Sequence, residues 1–483
     1  MHEEHLDWSN LKGLLPVAVA EEKINPLWQA AAERIKEKIL VLDDDPTGVQ
    51  TVHGIPVYTA WDLVTLRRIF ADQSRLVYIL TNSRALTAEA TEILHRGLAQ
   101  DLRRAAEEAG REFILVSRGD STLRGHFPLE TQTLYDVLSA DSTIDGEIIA
   151  PCFPEGGRIT MGDIHYVREG KDLIPAGMTE FARDATFSYH SSNLKDWVEE
   201  KTGGRRQADQ VVGIPLELLR AHDIQGIVDR LLPVRDFGKV ILNAVDYADL
   251  KIFLIALVEA MAKGKRFLFR TAASFVQVMG GIKPKPFLTR AELGLSGGRT
   301  APGLVIAGSH VKKTTAQLER LRELPHLAWV EWDATRAITD RELLAESERV
   351  TGEVEKSFLS GMDVCVFTSR ELLRPDAQAP SEKNLAFSAR VSDGLVRVVK
   401  DLRIRPGFLV AKGGITASDI GVKGLGVKRA MVLGQIQPGV PVWELGPESR
   451  FPGIPYVIFP GNVGGEDTLR IVVEILRTKG GCP

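Results

Sequence analysis

Short apolar runs, each closed by a cluster of polar residues, recur along most of the chain, with helical stretches between them. In the first half the runs are Lys38–Leu42, Ile55–Tyr58, Leu76–Leu80, Phe113–Val116, Glu147–Ala150, Lys239–Leu242 and Phe267–Phe269. Runs of this length bounded by turn residues predict buried strands of a parallel sheet. The clearest helical stretch puts Leu94, Leu98 and Leu102 on one face and flanks them with Arg103, Arg104, Glu107 and Glu108. A second alternating block holds Leu304–Ala307, Ala328–Trp332, Val364–Phe367, Phe408–Val410, Ala430–Leu433 and Tyr456–Phe459, with helical patterns at Thr314–Arg322 and Thr468–Arg477. Such alternation argues for βαβ units. The expected fold is α/β, with two domains, each a mostly parallel sheet flanked by helices, and a cleft between them. The boundaries read as an accessory segment over 1–35, a first domain over 36–280, a Gly- and Pro-rich linker over 281–303 and a second domain over 304–483. Trp8 and Trp28 are the residues that would dock the accessory segment.

Composition narrows the function classes. A chain of 483 residues is too long for one ordinary core, which agrees with two domains. A net charge of −4 with dispersed basic residues gives no field to hold a nucleic acid. No apolar run reaches transmembrane length, and Met1-His2-Glu3-Glu4-His5 lacks a signal pattern, so no membrane partner and a cytoplasmic setting are expected. Cys152, Cys365 and Cys482 are far apart and lack metal-ligand spacing, which points to a reducing compartment. His2 and His5 make at most a weak metal pair on a terminus.

Polar clusters fall just after the strands of the first block. Lys38–Leu42 runs into Asp43-Asp44-Asp45-Pro46-Thr47-Gly48, and Leu76–Leu80 into Thr81-Asn82-Ser83-Arg84. Phe113–Val116 runs into the stretch from Ser117 through Arg118, Asp120, Ser121, Thr122, Arg124 and Gly125 to His126. In a parallel sheet these clusters share the carboxyl rim, where α/β folds bind ligands. Gathered carboxylates repel one another, so a fold that collects them needs a cation, or a proton acceptor's task, to offset the cost. Arginine forks among them suit a small polyhydroxylated anion.

In the second block the strand ends carry glycine instead. Leu304–Ala307 ends in Gly308-Ser309-His310, Leu409-Val410 runs into Lys412-Gly413-Gly414-Ile415-Thr416, and Val457–Phe459 into Pro460-Gly461-Asn462-Val463-Gly464-Gly465. Glycine at a strand-to-helix junction lets backbone N–H groups approach a phosphate, and three such loops suggest a nucleotide. Neither the P-loop nor the standard dinucleotide fingerprint is present.

These residues resemble the four-carbon acid sugar kinase family, once an uncharacterised domain family. The matching motifs are Asp44-Asp45-Pro46-Thr47-Gly48 and the stretch Arg118 to Gly125. Further matches are Ala150 to Val167 (with Pro154, Gly157, Arg158 and His165-Tyr166-Val167), Gly308-Ser309, Gly413–Thr416 and Pro460-Gly461-Asn462-x-Gly464. The resemblance implies ATP-dependent phosphorylation of a hydroxyl on an acid such as threonate or erythronate, with Mg2+, a sugar-acid-binding first domain, a nucleotide-binding second domain and a homodimer. It implies Asp44 and Asp45 as catalytic candidates, and Asp45, Arg84, Arg118, Asp120, Ser121, Thr122 and Arg124 around the substrate. On the ATP side it implies Ser309, Gly413, Gly414, Ile415, Thr416, Gly461 and Gly464. It identifies no metal ligands. Asp43 and Pro46 depart from the family pattern, as do Asp163 to Trp197 and the N-terminal extension, which bears on the choice of substrate.

Two other readings compete. Asp43-Asp44-Asp45-Pro46-Thr47 also fits the Asp-x-Asp-x-Thr motif of haloacid-dehalogenase-like phosphatases, with Asp43 as nucleophile and Asp45 as acid/base. Thr81-Asn82-Ser83 resembles that family's second motif, but a downstream Lys with paired acids is missing and the glycine loops have no task there. A non-catalytic sugar-acid-binding protein also suits two α/β lobes, and the missing signal pattern argues against a periplasmic one.

Overall fold

The computed structural model describes residues 3–140, 142–295, 301–309, 311–369, 381–461 and 463–477. Met1, His2, His310, Asn462 and Cys482, named above, lie outside these residues. The chain divides into two units, one of Met1–Val52 with Ala60–Pro284 and one of His53–Thr59 with Lys285–Pro483. Both are α/β, with mostly parallel strands flanked by helices.

The first unit holds seven parallel strands in the order Val212–Ile214, Gly238–Leu242, Gly146–Ala150, Phe267–Thr271, Phe113–Arg118, Lys38–Asp43, Leu76–Leu80. Lys38–Asp43, Leu76–Leu80 and Phe267–Thr271 are buried throughout, as continuous apolar runs of a doubly covered sheet should be. The helix Ala88–Ala109 starts on the Thr87 hydroxyl, which accepts the Ala90 N–H, and stops at Gly110, whose φ of 60° is left-handed. Its face of Leu98, Ala99 and Leu102 is buried.

A second, antiparallel sheet orders Leu6–Asp7, Asp172–Pro175, Ile164–Glu169 and Arg158–Met161. It brings the N-terminal segment onto the first unit. Trp28 is buried and its indole N–H donates to the Val278 carbonyl at 2.8 Å, while the Glu3 carboxylate accepts the N–H groups of Ser192 and Asn193. The apolar-run pattern did not reveal this sheet, because its short strands alternate with charged residues and glycine turns.

The second unit has five parallel strands, in the order Leu327–Trp332, Asp363–Thr368, Leu304–Ala307, Leu409–Lys412, Pro455–Phe459. Val440–Leu445, Arg429–Gln437 and Ile55–Tyr58 continue it antiparallel. Ile55–Tyr58, read from the sequence within the first block, thus groups with the second unit. A four-residue apolar run shows burial but not its partner strand. Part of the stretch read as a linker is also core: Leu288, Leu293 and Leu295 bury beside Val305, Phe408 and Val457. Glycines and prolines erase periodicity there without preventing burial.

Candidate functional site

In the first unit, Lys38–Asp43 and Phe113–Arg118 lie side by side, yet the chain leaves them in opposite directions across the sheet. The former leads to Leu76–Leu80 on one flank, the latter to Gly146–Ala150 on the other. A crevice opens at the carboxyl ends of such a strand pair. Here it gathers Asp43, Asp44, Asp45, Arg84, Arg118, Asp120 and Arg124.

Asp43 and Asp44 are 1% and 2% exposed. Arg118 Nη1 donates to Asp43 Oδ1 at 3.0 Å and to Asp44 Oδ1 at 3.2 Å. Arg84 grips Asp44 with two bonds, Nε to Oδ2 at 3.0 Å and Nη2 to Oδ1 at 2.6 Å. Arg124 grips Asp120 likewise, at 2.8 and 3.3 Å, and lies 3.7 Å from Asp184. Asp45 accepts the Thr47 N–H at 2.8 Å, capping the turn Pro46–Val49, and is 3.5 Å from Arg84. Its side chain is 18% exposed, the most open of the acid triplet.

Four carboxylates (Asp43, Asp44, Asp45 and Asp120) thus meet three guanidiniums, leaving one acid without a counter-charge. Burial, against the pull of Arg118, pushes Asp43 up to about 8, so Asp43 keeps the proton near neutrality. For Asp45 burial also opposes ionisation, but Arg84, Arg118 and the Thr47 bond outweigh it and hold the carboxyl below its ordinary value. Arg124 and Arg84 likewise overcome burial at Asp120 and hold it well below the usual range.

Gly48 covers Asp43 so closely that a Cβ on it would come 2.1 Å from Oδ1. A phospho-aspartate nucleophile must be reachable, so this burial removes the physical basis for Asp43 in the phosphatase role.

The loop from Asp120 to Gly125 is held from below. His165 donates Nε2–H to the Ser121 carbonyl at 2.8 Å, Tyr189 its hydroxyl to the Thr122 carbonyl at 2.8 Å, and Arg270 Nη2 to the Arg124 carbonyl at 3.0 Å. Burial lowers His165 to about 4, so it is neutral, and its Nδ1 accepts from the Thr160 hydroxyl. Arg270 passes directly under Gly119, where a Cβ would fall 1.4 Å from Nη1. Leu123, with a φ of 69°, buries among Phe127, Tyr189 and Trp197. The Thr122 hydroxyl is buried and serves Asp120, so that residue acts on the loop rather than outward. The sequence reading missed Arg270, His165 and Tyr189 as site residues. Arg270 carried the signal that found the others, a charged residue at the end of an apolar strand.

The second unit repeats the arrangement with different chemistry. Leu304–Ala307 and Leu409–Lys412 are adjacent and again send the chain opposite ways, to Leu327–Trp332 and toward Pro455–Phe459. Their ends bring Gly308, Ser309, Gly413 and Thr416 together with Gly461. A Cβ on Gly413, whose φ is 123°, would lie 3.1 Å from Thr416 Oγ1 and 3.4 Å from Ser309 Cβ. One on Gly461 would lie 3.3 Å from Ser309 Oγ. Gly414 opens the short helix Gly414–Asp419, and Ile415 on it is exposed. Gly464 has a φ of 80°, and Gln317 donates to the carbonyls on either side of it, Val463 and Gly465, at 3.1 and 2.9 Å.

Lys412 is fully buried beneath these loops and donates to the carbonyls of Pro460 and Gly461 at 2.6 and 3.0 Å. Burial, aided by Lys313, pulls its ammonium down to about 7. Among the described residues no group of three His, Cys, Asp or Glu side chains is arranged to hold a metal, and no helix is long and apolar enough to cross a membrane.

Comparison with known proteins agrees with this division of chemistry. Residues 39–279 match a sugar-binding N-terminal domain model, and residues 304–469 match a nucleotide-binding C-terminal domain model. The D-erythronate kinase of Heliobacterium modesticaldum (strain ATCC 51547 / Ice1) is 25% identical over 465 residues, covering 91% of this chain and 97% of that one. The crystal structure of Haemophilus influenzae protein HI1011, of the DUF1537 family, superposes with a TM-score of 0.58 at 18% identity, covering 90% of this chain and all of that one. A Salmonella typhimurium LT2 structure gives a TM-score of 0.64 at 15% identity, covering 90% and 98%. These structural likenesses speak to the fold.

Proposed function

Because the chain belongs to the four-carbon acid sugar kinase family, we propose that it transfers the γ-phosphoryl group of ATP to a hydroxyl of a four-carbon sugar acid such as erythronate or threonate. The observation that carries this reading is the contrast between the two strand-end crevices, one built of carboxylates and guanidiniums, the other of glycine loops.

Phosphoryl transfer asks a protein mainly for positioning and charge stabilisation. Asp45 is the open carboxylate of the triplet and the candidate to orient the acceptor hydroxyl and take its proton. Its lowered proton affinity suits a loose transition state, in which the hydroxyl is deprotonated late and orientation matters more than basicity. Asp44 fixes Arg84 and Arg118, and protonated Asp43 supports Arg118 from below without adding charge. On the nucleotide side, Ser309, Gly413, Gly414, Ile415, Thr416, Gly461 and Gly464 would cradle phosphates through backbone N–H groups. Magnesium usually takes one or two carboxylates besides phosphate and water, and Asp45 is open enough to be one of them. Its chemistry there would be to neutralise charge on the transferring group.

The test is a panel of four-carbon acids assayed for ADP formation, with phosphorus NMR of the product. A phosphomonoester formed only with ATP and acid together is expected. Phosphate release from a phosphorylated acid without nucleotide, or acid binding that never consumes ATP, would overturn the proposal in favour of a phosphatase or a binding protein.

A further inference from the structure

We infer that Arg158, absent from the site residues suggested by the sequence, anchors the carboxylate of the sugar acid; the inference rests on the kinase reading above. The arginines that the resemblance places around the substrate, Arg84, Arg118 and Arg124, are already committed within the chain. Arg84 is spent on Asp44 and leans on Asp45, Arg118 bridges Asp43 and Asp44, and Arg124 is forked onto Asp120 with Asp184 beyond.

Arg158 differs from all three. It opens the strand Arg158–Met161, and its Nη1 donates to the Gly156 carbonyl. Its Nε is buried without a hydrogen-bond partner, as is that of Arg118, but unlike the other three it makes no ion pair among the described residues. The residue stays partly exposed, so the side chain is neither used up internally nor sealed off. It also stands beside the substrate loop. Its Cζ is 5.5 Å from the centroid of Phe181, and the Cζ of Arg124 is 5.1 Å from the same ring. Burial first, then the nearby Arg124 charge, lowers the proton affinity of its guanidinium, while Asp120 offsets part of this. Asp120 and Glu169 act on it only from beyond ion-pair distance, so a cation desolvated beside another cation has no carboxylate among the described residues in contact with it. A substrate carboxylate supplies that contact, and the planar fork matches it in shape. Phe181 gives both guanidiniums an apolar wall and belongs to the segment Asp163 to Trp197, where this sequence departs from the family pattern.

The test compares wild type, Arg158→Gln and Arg158→Lys on D-erythronate and on its neutral amide, with ATP varied separately. Arg158→Gln should raise the KM for the acid about 10- to 100-fold, the size of a lost charge-assisted contact. It should leave the KM for ATP unchanged and cut the preference for acid over amide by the same factor. Arg158→Lys keeps the charge but not the fork, and should fall between. Because the preference is a ratio within one protein, partial misfolding of a variant does not alter it. An unchanged acid KM, or equal loss on acid and amide, would overturn the inference while wild-type turnover left the kinase reading standing. Wild type that neither binds nor phosphorylates any four-carbon acid would overturn both.

Discussion

The two strand-end crevices of this chain share a topology and differ in what fills them. In the first unit the chain-reversal point is crowded with side-chain charge, each acid held by an arginine or by a retained proton. In the second the same point is held by glycines, and a Cβ on Gly308, Gly413 or Gly461 would come within 2.4, 3.1 and 3.3 Å of Thr416 or Ser309. Fixed charges discriminate among small polar ligands, because a group misplaced by an ångström loses its partner. Backbone amides read phosphate without reading the rest of the molecule. On the proposed reading, the difference teaches how one architecture could serve a selective acceptor site and a general donor site.

The largest expected effect lies on the charged side. Asp45→Asn should lower kcat about 10²–10⁴-fold, the usual worth of a positioned proton acceptor, while ATP affinity by calorimetry stays as in wild type. Equal damage to ATP binding would mean that the two crevices do not divide the labour. Near-normal turnover in both Asp44→Asn and Asp45→Asn would remove the acid role altogether.

One substitution type made on each side sharpens the contrast. Gly119→Ala would drive a Cβ into Arg270 and release the Arg124 carbonyl, so the KM for the sugar acid should rise. Gly413→Ala would force a side chain into a backbone of φ 123°, so the KM for ATP should rise. Strain of this kind is worth about 1–3 kcal/mol, or about 5- to 150-fold. Steady-state kinetics with each substrate varied in turn should show two non-overlapping losses. A smaller effect, about fivefold on the KM for ATP, is expected for Lys412→Met, which leaves the Pro460 and Gly461 carbonyls without their donor.

How far the sequence foretold these crevices follows from the same contrast. Asp43–Asp45, Arg84, Arg118 and the glycine loops were legible because each directly follows a buried apolar run, and position along the chain then equals position on the rim. Arg270 was half legible: its run was noticed, but the residue closing it was not. His165 and Tyr189 act through carbonyls of a distant loop, and nothing in local composition reports such a contact. Arg158 was visible as part of a motif, yet only three dimensions show that no carboxylate among the described residues comes within ion-pair distance of it. The strand Ile55–Tyr58 was found, but its neighbour Arg429–Gln437 lies some 370 residues away in sequence, and a short run carries no record of what it pairs with.

The effect that leaves turnover least changed concerns proton balance, and the two crevices should differ in sign. Folding raises Asp43 from an ordinary 3.8 to about 8. Between those values the unfolded chain has released the proton and the native one keeps it, so this group makes stability fall as pH rises through the window. Below it both states are protonated and the contribution vanishes; above it both are ionised and the loss is complete. Lys412 is lowered from 10.5 to about 7. Between about 7 and 10.5 its unfolded state holds the proton that the native state has shed, so stability rises with pH there. Denaturant titrations from about pH 5 to about pH 8 should therefore show a flatter decline in Asp43→Asn than in wild type. From about pH 8 to about pH 10, Lys412→Met should lack a rising component that wild type has. Identical slopes for Asp43→Asn and wild type would mean that Arg118 keeps Asp43 ionised after all, and that the first crevice carries a net negative charge which its ligand must bring a cation to meet.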